Sequence, residues 1–327
     1  MPNATCRIVI AAVLLCAAAA TASAEERAAD YPAMNVELVV PFPAGGTTDV
    51  IARLVAQSVG EKWGRAVVVT NKPGATGAVA SEYVARAKPD GYTLLVATAS
   101  THAVLPAYRS DLPYDTVTSF APATLLASFP NMLVVNPKLP VESVRDLIAL
   151  LERKPGKLNF SSSGTGGTGH FAGELFMLMT KTIMTHVPYH GSAPALNDLI
   201  AGSVDLTIDN MSTVWPQVKQ GQLRALGVAS LTPTPLAPGV PAIAETVPGF
   251  EVTSWVGVVA PQATPPAIVE RIAKAFADAV DRPQLAEKLS ELGATSTTDS
   301  PAAFADFIRA DREKWRRVAT EAHIVEK

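Results

Sequence analysis

The chain has 327 residues, 48% of them hydrophobic and 17% charged, with 27 basic side chains against 30 acidic ones. That length is ample for two domains with real cores, and a net charge of −3 argues against nucleic acid as a partner. Both cysteines, Cys6 and Cys16, lie in the first 24 residues, so the chain beyond them offers no disulfide, thiolate metal ligand or cysteine nucleophile.

Residues 1–24 read as a secretory signal. Arg7 supplies the positive start, 8–20 form an apolar run, and Ala22-Ser23-Ala24 has the small-x-small form that signal peptidase cuts. Cleavage near Ala24 predicts a periplasmic protein exported by the general secretory route. A lipoprotein anchor at Cys16 is disfavoured, because the preceding Leu15 is large where a small residue is wanted. There is no twin-arginine pair, which argues against a cofactor loaded before export. No later segment has 18 uninterrupted apolar residues, the length a membrane helix needs.

The elements then alternate. Residues 36–40 read as a strand, 49–60 as an amphipathic helix, 66–70 as a strand, 77–87 as a helix and 92–97 as a strand. Repeated βα units imply a parallel sheet covered by helices. Residues 120–135 are different: a long apolar stretch with Pro130-Asn131 inside it, extended and bent. A second series follows, with helices at 144–152, 171–179 and 193–201 and strands at 157–161, 184–187 and 204–208. Residues 231–241 read as a loop, 251–260 as a β run, and 266–279 and 301–322 as closing helices. If the 120–135 stretch crosses into a second domain, the strand at 252–259 is the natural return. The expected division is residues 25–127 with 250–327 in one domain and 128–249 in the other, joined by a two-strand hinge with the ligand cleft between them.

Two glycine-rich turns stand out, each after a strand and before a helix. One is Pro41-Phe42-Pro43-Ala44-Gly45-Gly46-Thr47-Thr48-Asp49. The other is Ser161-Ser162-Ser163-Gly164-Thr165-Gly166-Gly167-Thr168-Gly169-His170. Such junctions point backbone N–H groups and the positive helix end outward and attract anions. Neither turn contains arginine or lysine, so an anion there would meet backbone N–H groups, hydroxyls of Thr47, Thr48, Ser163 and Thr165, and bridging water.

Gly164-x-Gly166-x-x-Gly169 fits the dinucleotide fingerprint, but His186-Val187-Pro188-Tyr189-His190 stands where the ribose-binding acid belongs. His186 and His190 read better as ordinary polar residues at a strand end than as metal ligands, since Pro188 breaks the spacing. A hydrolase using Ser163 and His170 is an alternative without a nucleophile elbow to support it. Asp49 is read first as a first-turn carboxylate bracing its helix, and second as a ligand contact. Asp209-Asn210 leaves turn chemistry and a cleft-facing role both open.

Read in order, several strings resemble the Bug proteins, the substrate-binding subunits of tripartite tricarboxylate transporters. They are Pro41-Phe42-Pro43-Ala44-Gly45-Gly46-x-x-Asp49, Asn71-Lys72-Pro73-Gly74-Ala75, Pro89-Asp90-Gly91-Tyr92-Thr93-Leu94-Leu95, Pro113-Tyr114-Asp115, Ser162-Ser163-Gly164-x-Gly166-x-x-x-His170, Val187-Pro188-Tyr189-x-Gly191 and Ala201-Gly202-x-Val204-Asp205. The resemblance covers almost the whole mature chain. One departure is Thr70, where the family usually carries Glu. It implies a type II periplasmic-binding-protein fold, two α/β domains whose Gly turns clasp a ligand carboxylate through backbone groups and two ordered waters. Carried over, the first-domain contacts are Phe42, Ala44, Gly45, Gly46, Thr47 and Asp49, with Thr98 and Ser100 from the Thr98-Ala99-Ser100 loop. The second-domain contacts are Ser163, Gly164, Thr165, Gly166 and His170, with Tyr189 and Asp209 beside them. Thr165, Gly167, Thr168 and Gly169 would help set ligand identity. The expected protein is a monomer that takes no metal or cofactor, is not an enzyme, and delivers a small carboxylate to integral membrane subunits. A ligand-sensing partner of a membrane kinase is the alternative.

Overall fold

A computed structural model of the chain describes residues 30–324. The export signal read over residues 1–24 lies outside the described residues. Among the described residues, no helix is long and apolar enough to cross a membrane.

The first series is compactly built. Strand β1 (Val36–Val40) is an apolar run, Val-Glu-Leu-Val-Val, and it pairs in parallel on both sides. A strand flanked and covered on both faces needs such a run. Helix α1 (Thr47–Trp63) follows and stops at Gly64, which takes the left-handed conformation that ends many helices. Strand β2 (Val67–Asn71), helix α2 (Ala78–Ala85) and strand β3 (Thr93–Thr98) complete a unit whose strands lie in the order β2-β1-β3. A single π-helical turn (Ser100–Val104) and the short helix α3 (Leu105–Tyr108) come next.

The second series repeats this architecture. After helix α4 (Val144–Arg153), capped by Ser143, come strand β5 (Asn159–Ser162), helix α5 (Thr168–Thr180), strand β6 (Thr185–Pro188), helix α6 (Ser192–Ala201) and strand β7 (Leu206–Asn210). The strand order is β6-β5-β7, all parallel, the same as in the first unit. The two Gly turns therefore occupy equivalent places, each after the central strand of its unit.

Strand β4 (Phe120–Val135) joins the units, as the bend at Pro130-Asn131 suggests. Phe120 to Pro130 pair with strand β9 (Thr253–Pro261); Asn131 to Val135 pair with β7 and with strand β8 (Arg224–Val228). The parallel sheet expected from the βα repeats is instead mixed. Strand β9 is antiparallel to both β3 and β4, and β4 is antiparallel to β7 and β8. A strand that leaves one half beside the strand that returns must run against it.

Helix α7 (Met211–Lys219) and β8 escaped the sequence reading. Pro216 inside the helix reads as a breaker, and Gly227 weakens the strand pattern. The chain closes with helices α8 (Pro266–Val280) and α9 (Pro283–Glu291), the two-residue strand β10 (Thr295–Ser296) and helix α10 (Pro301–Glu321). Phe304, Ile308, Trp315, Val318 and Ala319 form the buried stripe of α10, at the spacing of one helix face. That stripe packs on β4 and α3 and reaches α5, where Trp315 meets Phe171 edge to face with ring centroids 6.0 Å apart.

Candidate functional site

The first turn is held from inside. Gly45 has φ +84°, a conformation that favours glycine, and Gly46 is extended and caps α1 without a side-chain bond. The Asp49 carboxylate, 2% exposed, faces back into the turn. Its Oδ2 accepts from the Gly45 N–H at 2.9 Å and from Arg53 Nε at 2.9 Å, while its Oδ1 accepts from Asn71 Nδ2 at 2.9 Å. Asn71 also donates to the Phe42 carbonyl at 3.0 Å. Burial pushes the Asp49 carboxyl up, but these donors outweigh it and hold the group below the ordinary carboxylate range. Arg53 spends its guanidinium on Asp49 and Asn71. Ala44, Gly45 and Gly46 are left exposed.

The second turn repeats that construction with different chemistry. Gly166 has φ +76°, Gly167 is extended and caps α5, and the Gly166 N–H donates to His170 Nδ1 at 3.2 Å. Gly45 with Asp49, and Gly166 with His170, are thus the same bond, from an N–H to the side chain four residues on. Acceptance at Nδ1 places the neutral ring's proton on Nε2, which lies 3.5 Å from Glu174 Oε1. The His186 ring stacks on His170 with centroids 4.0 Å apart, and its Nε2 lies 2.7 Å from Ser162 Oγ. Burial first, and His170 second, lower the His186 pKa to about 3, so this ring is neutral at ordinary pH.

Hydroxyls join each Gly turn directly to the opposite unit. Thr47 Oγ1 lies 2.8 Å from Ser212 Oγ at the start of α7. Ser100 Oγ lies 2.9 Å from Thr168 Oγ1 and accepts from the Thr168 N–H at 3.2 Å. Thr76 donates to the Thr165 carbonyl at 2.8 Å. Ala75 and Thr76 have φ of +46° and +54°, a left-handed pair that carries Thr76 to this contact. A Cβ built on Gly164 would lie 3.8 Å from Thr76 Oγ1 and 3.7 Å from the Tyr189 carbonyl.

Of the residues expected at the site, Thr47, Ser100 and Thr165 bond across the cleft, and Gly164 lies against Thr76. Others spend their polar groups within their own half. Thr98 bonds Thr101, Ser163 gives its carbonyl to the Gly191 N–H, and Asp209, pushed up by burial, accepts from the Asn210 N–H. The Tyr189 hydroxyl donates to Asp198 at 2.6 Å; burial and that carboxylate raise its pKa to about 12. Sequence reasoning missed Thr76, Ser212 and Thr213, the last with its Oγ1 3.5 Å from Thr47 Oγ1. Ser212 stands two residues past β7 as Ser100 stands two past β3, a correspondence that only the folded strand order reveals.

The site therefore comprises two backbone-rich turns, each joined by neutral hydroxyls to the opposite unit, and neither turn contains arginine or lysine. Among the described residues, no group of three His, Cys, Asp or Glu side chains is arranged to hold a metal ion.

The chain matches the family profile described as tripartite tricarboxylate transporter family receptor over residues 51–324. It is 35% identical to protein BugT of Bordetella pertussis, over 89% of this chain and 90% of that one. The solved structure of R. palustris Rpa4515 with adipate is 40% identical, with a TM-score of 0.87, covering 90% of this chain and 99% of that chain. MatC from Rhodopseudomonas palustris, with bound malate, is 31% identical with a TM-score of 0.83, covering 88% and 99%. The shared architecture is the type II periplasmic-binding-protein fold. The chain belongs to the TctC family of tripartite tricarboxylate transporter receptors, the Bug proteins among them.

Proposed function

We propose that this protein is a periplasmic solute-binding protein that captures a small organic carboxylate by cleft closure and passes it to the membrane subunits of a tripartite transporter. The observation that carries the reading is the equivalence of the two Gly turns: the same bond and backbone geometry, one on each side of one cleft. Turns that offer N–H groups and hydroxyls without a fixed cation suit reversible capture of an anion, because no buried ion pair has to be broken on release. The carboxylates held by Rpa4515 and MatC support the ligand class. The export signal read in residues 1–24 supports the compartment.

The proposed lobes are residues 25–127 with 250–327, and 128–249. The change of partners along β4 at Pro130 and Asn131 supports a hinge near that boundary. The proposed contacts are Phe42, Ala44, Gly45, Gly46 and Thr47 from one lobe and Ser163, Gly164, Thr165 and Gly166 from the other. Asp49 and His170 belong to the same site as braces that keep the turns in shape. Binding is favoured over hydrolysis because His170 Nδ1 accepts from the backbone, which leaves the neutral ring no free nitrogen to act as a base for Ser163.

The test is Gly164→Val. A branched side chain at φ +154°, placed toward Thr76, obstructs approach of the two turns. The variant is expected to unfold cooperatively yet lose carboxylate binding in a thermal-shift assay. Retained affinity would sink the clasp.

A further inference from the structure

The duplicated architecture equates residues that sequence comparison between the halves does not. Thr47 and Thr168 each follow a Gly-Gly pair and are the first residues of α1 and α5. Ser100 and Ser212 each stand two residues past the end of the third strand of a unit, β3 in one case and β7 in the other. The contacts follow the same rule in both directions. Ser212 of the second unit meets Thr47 of the first at 2.8 Å, and Ser100 of the first meets Thr168 of the second at 2.9 Å.

We propose that Ser100 and Ser212 are a matched pair of closure residues, each locking its hydroxyl onto the first helical threonine of the opposite half, and that together they set how fast a bound ligand leaves. This rests on the solute-binding reading given above. Three physical features carry it. Each bond runs between units, so separating the halves breaks it without disturbing any helix or strand. Each pair is neutral, and its groups find water when the cleft opens, so the net gain per latch is modest and closure stays reversible. The two latches stand at equivalent points of the duplicated framework, so a hinge rotation makes both together or neither. A ligand too long for the gap would hold both apart, which makes the pair a limit on ligand size as well.

The probe is adipate, and the variants are Ser100→Ala, Ser212→Ala and both together, with Ser212→Thr retaining the hydroxyl. Ser212→Ala is expected to raise the adipate dissociation rate by about fivefold, the loss of one neutral hydrogen bond, and Ser100→Ala, which loses two, by more; the double variant shows roughly the product. The association rate does not fall, and Ser212→Thr dissociates at a rate near wild type. Unchanged dissociation in the alanine variants, or dissociation from Ser212→Thr as fast as from Ser212→Ala, overturns the proposal.

A second readout needs no ligand. The Thr168 amide donates to Ser100 Oγ, so its hydrogen exchange reports the first latch. Ser212→Ala, at the other latch, is expected to speed exchange at Thr168 in unliganded protein. Unchanged exchange overturns the pairing. If wild type binds no carboxylate, the functional reading fails while this measurement still decides the latches.

Discussion

At the scale of single residues, Asp49 and His170 do one job with two chemistries. Both accept the N–H four positions earlier and so fix the shape of a Gly turn. The Asp49 carboxyl is held below its ordinary range, so its contribution is complete above the unfolded value of about 3.9 and lost as pH falls below it. Replacing it in Asp49→Ala leaves Gly45 and Asn71 short of an acceptor; we expect a loss of about 2 kcal/mol in urea unfolding at pH 7, a gap that narrows below about pH 4. Had the carboxylate stabilised its helix end alone, the loss would be well under 1 kcal/mol. His186 acts in a different window. Its folded pKa is lowered to about 3, so the unfolded chain binds its proton first, and stability falls as pH drops from about 6.5 toward 3. In His186→Gln that slope should flatten, checked by unfolding free energy measured across the range. An unchanged slope would mean that the ring behind the turn is not the titrating group.

At the scale of elements, helix α10 packs against both halves, on β4 and α3 and on α5. Trp315 packs on Phe171, the neighbour of His170, and Phe171 packs on Tyr108 with centroids 5.5 Å apart. Trp315→Ala should cost about 3–5 kcal/mol by denaturant unfolding, the usual range for a buried tryptophan; a loss below 1 kcal/mol would show that α10 is only loosely seated. The existence of α10 was plain in the sequence, because its apolar residues recur on one face and Pro301 starts it. So were β1, with its apolar run, and the two Gly turns. The antiparallel join was not. Local patterning reports that β4 and β9 are extended, while their direction against one another is decided by pairing between residues more than a hundred positions apart. Thr76 and Ser212 were illegible for a related reason. Nothing in a short polar residue says which hydroxyl will face it from the other half, and only the repeated order of strands shows that Ser212 stands where Ser100 does.

At the scale of the whole molecule, two βαβαβ units are bridged by the β4/β9 pair, and the Thr47–Ser212, Thr76–Thr165 and Ser100–Thr168 contacts between them are all made by neutral groups. A molecule of that design should exchange open and closed forms, and a ligand shifts the population toward closure by whatever extra affinity the closed form supplies. Solution scattering should therefore give a smaller radius of gyration with saturating ligand than without; an unchanged radius would argue against hinge closure. The central claim is that a carboxylate is the ligand. The measurement that meets it most directly is calorimetric titration of the purified mature protein with mono-, di- and tricarboxylates, acidic amino acids and aromatic acids. The account predicts saturable binding of at least one carboxylate at one site per chain, abolished in Gly164→Val. Absence of binding across the whole panel, by protein that is folded and free of co-purified ligand, would contradict it.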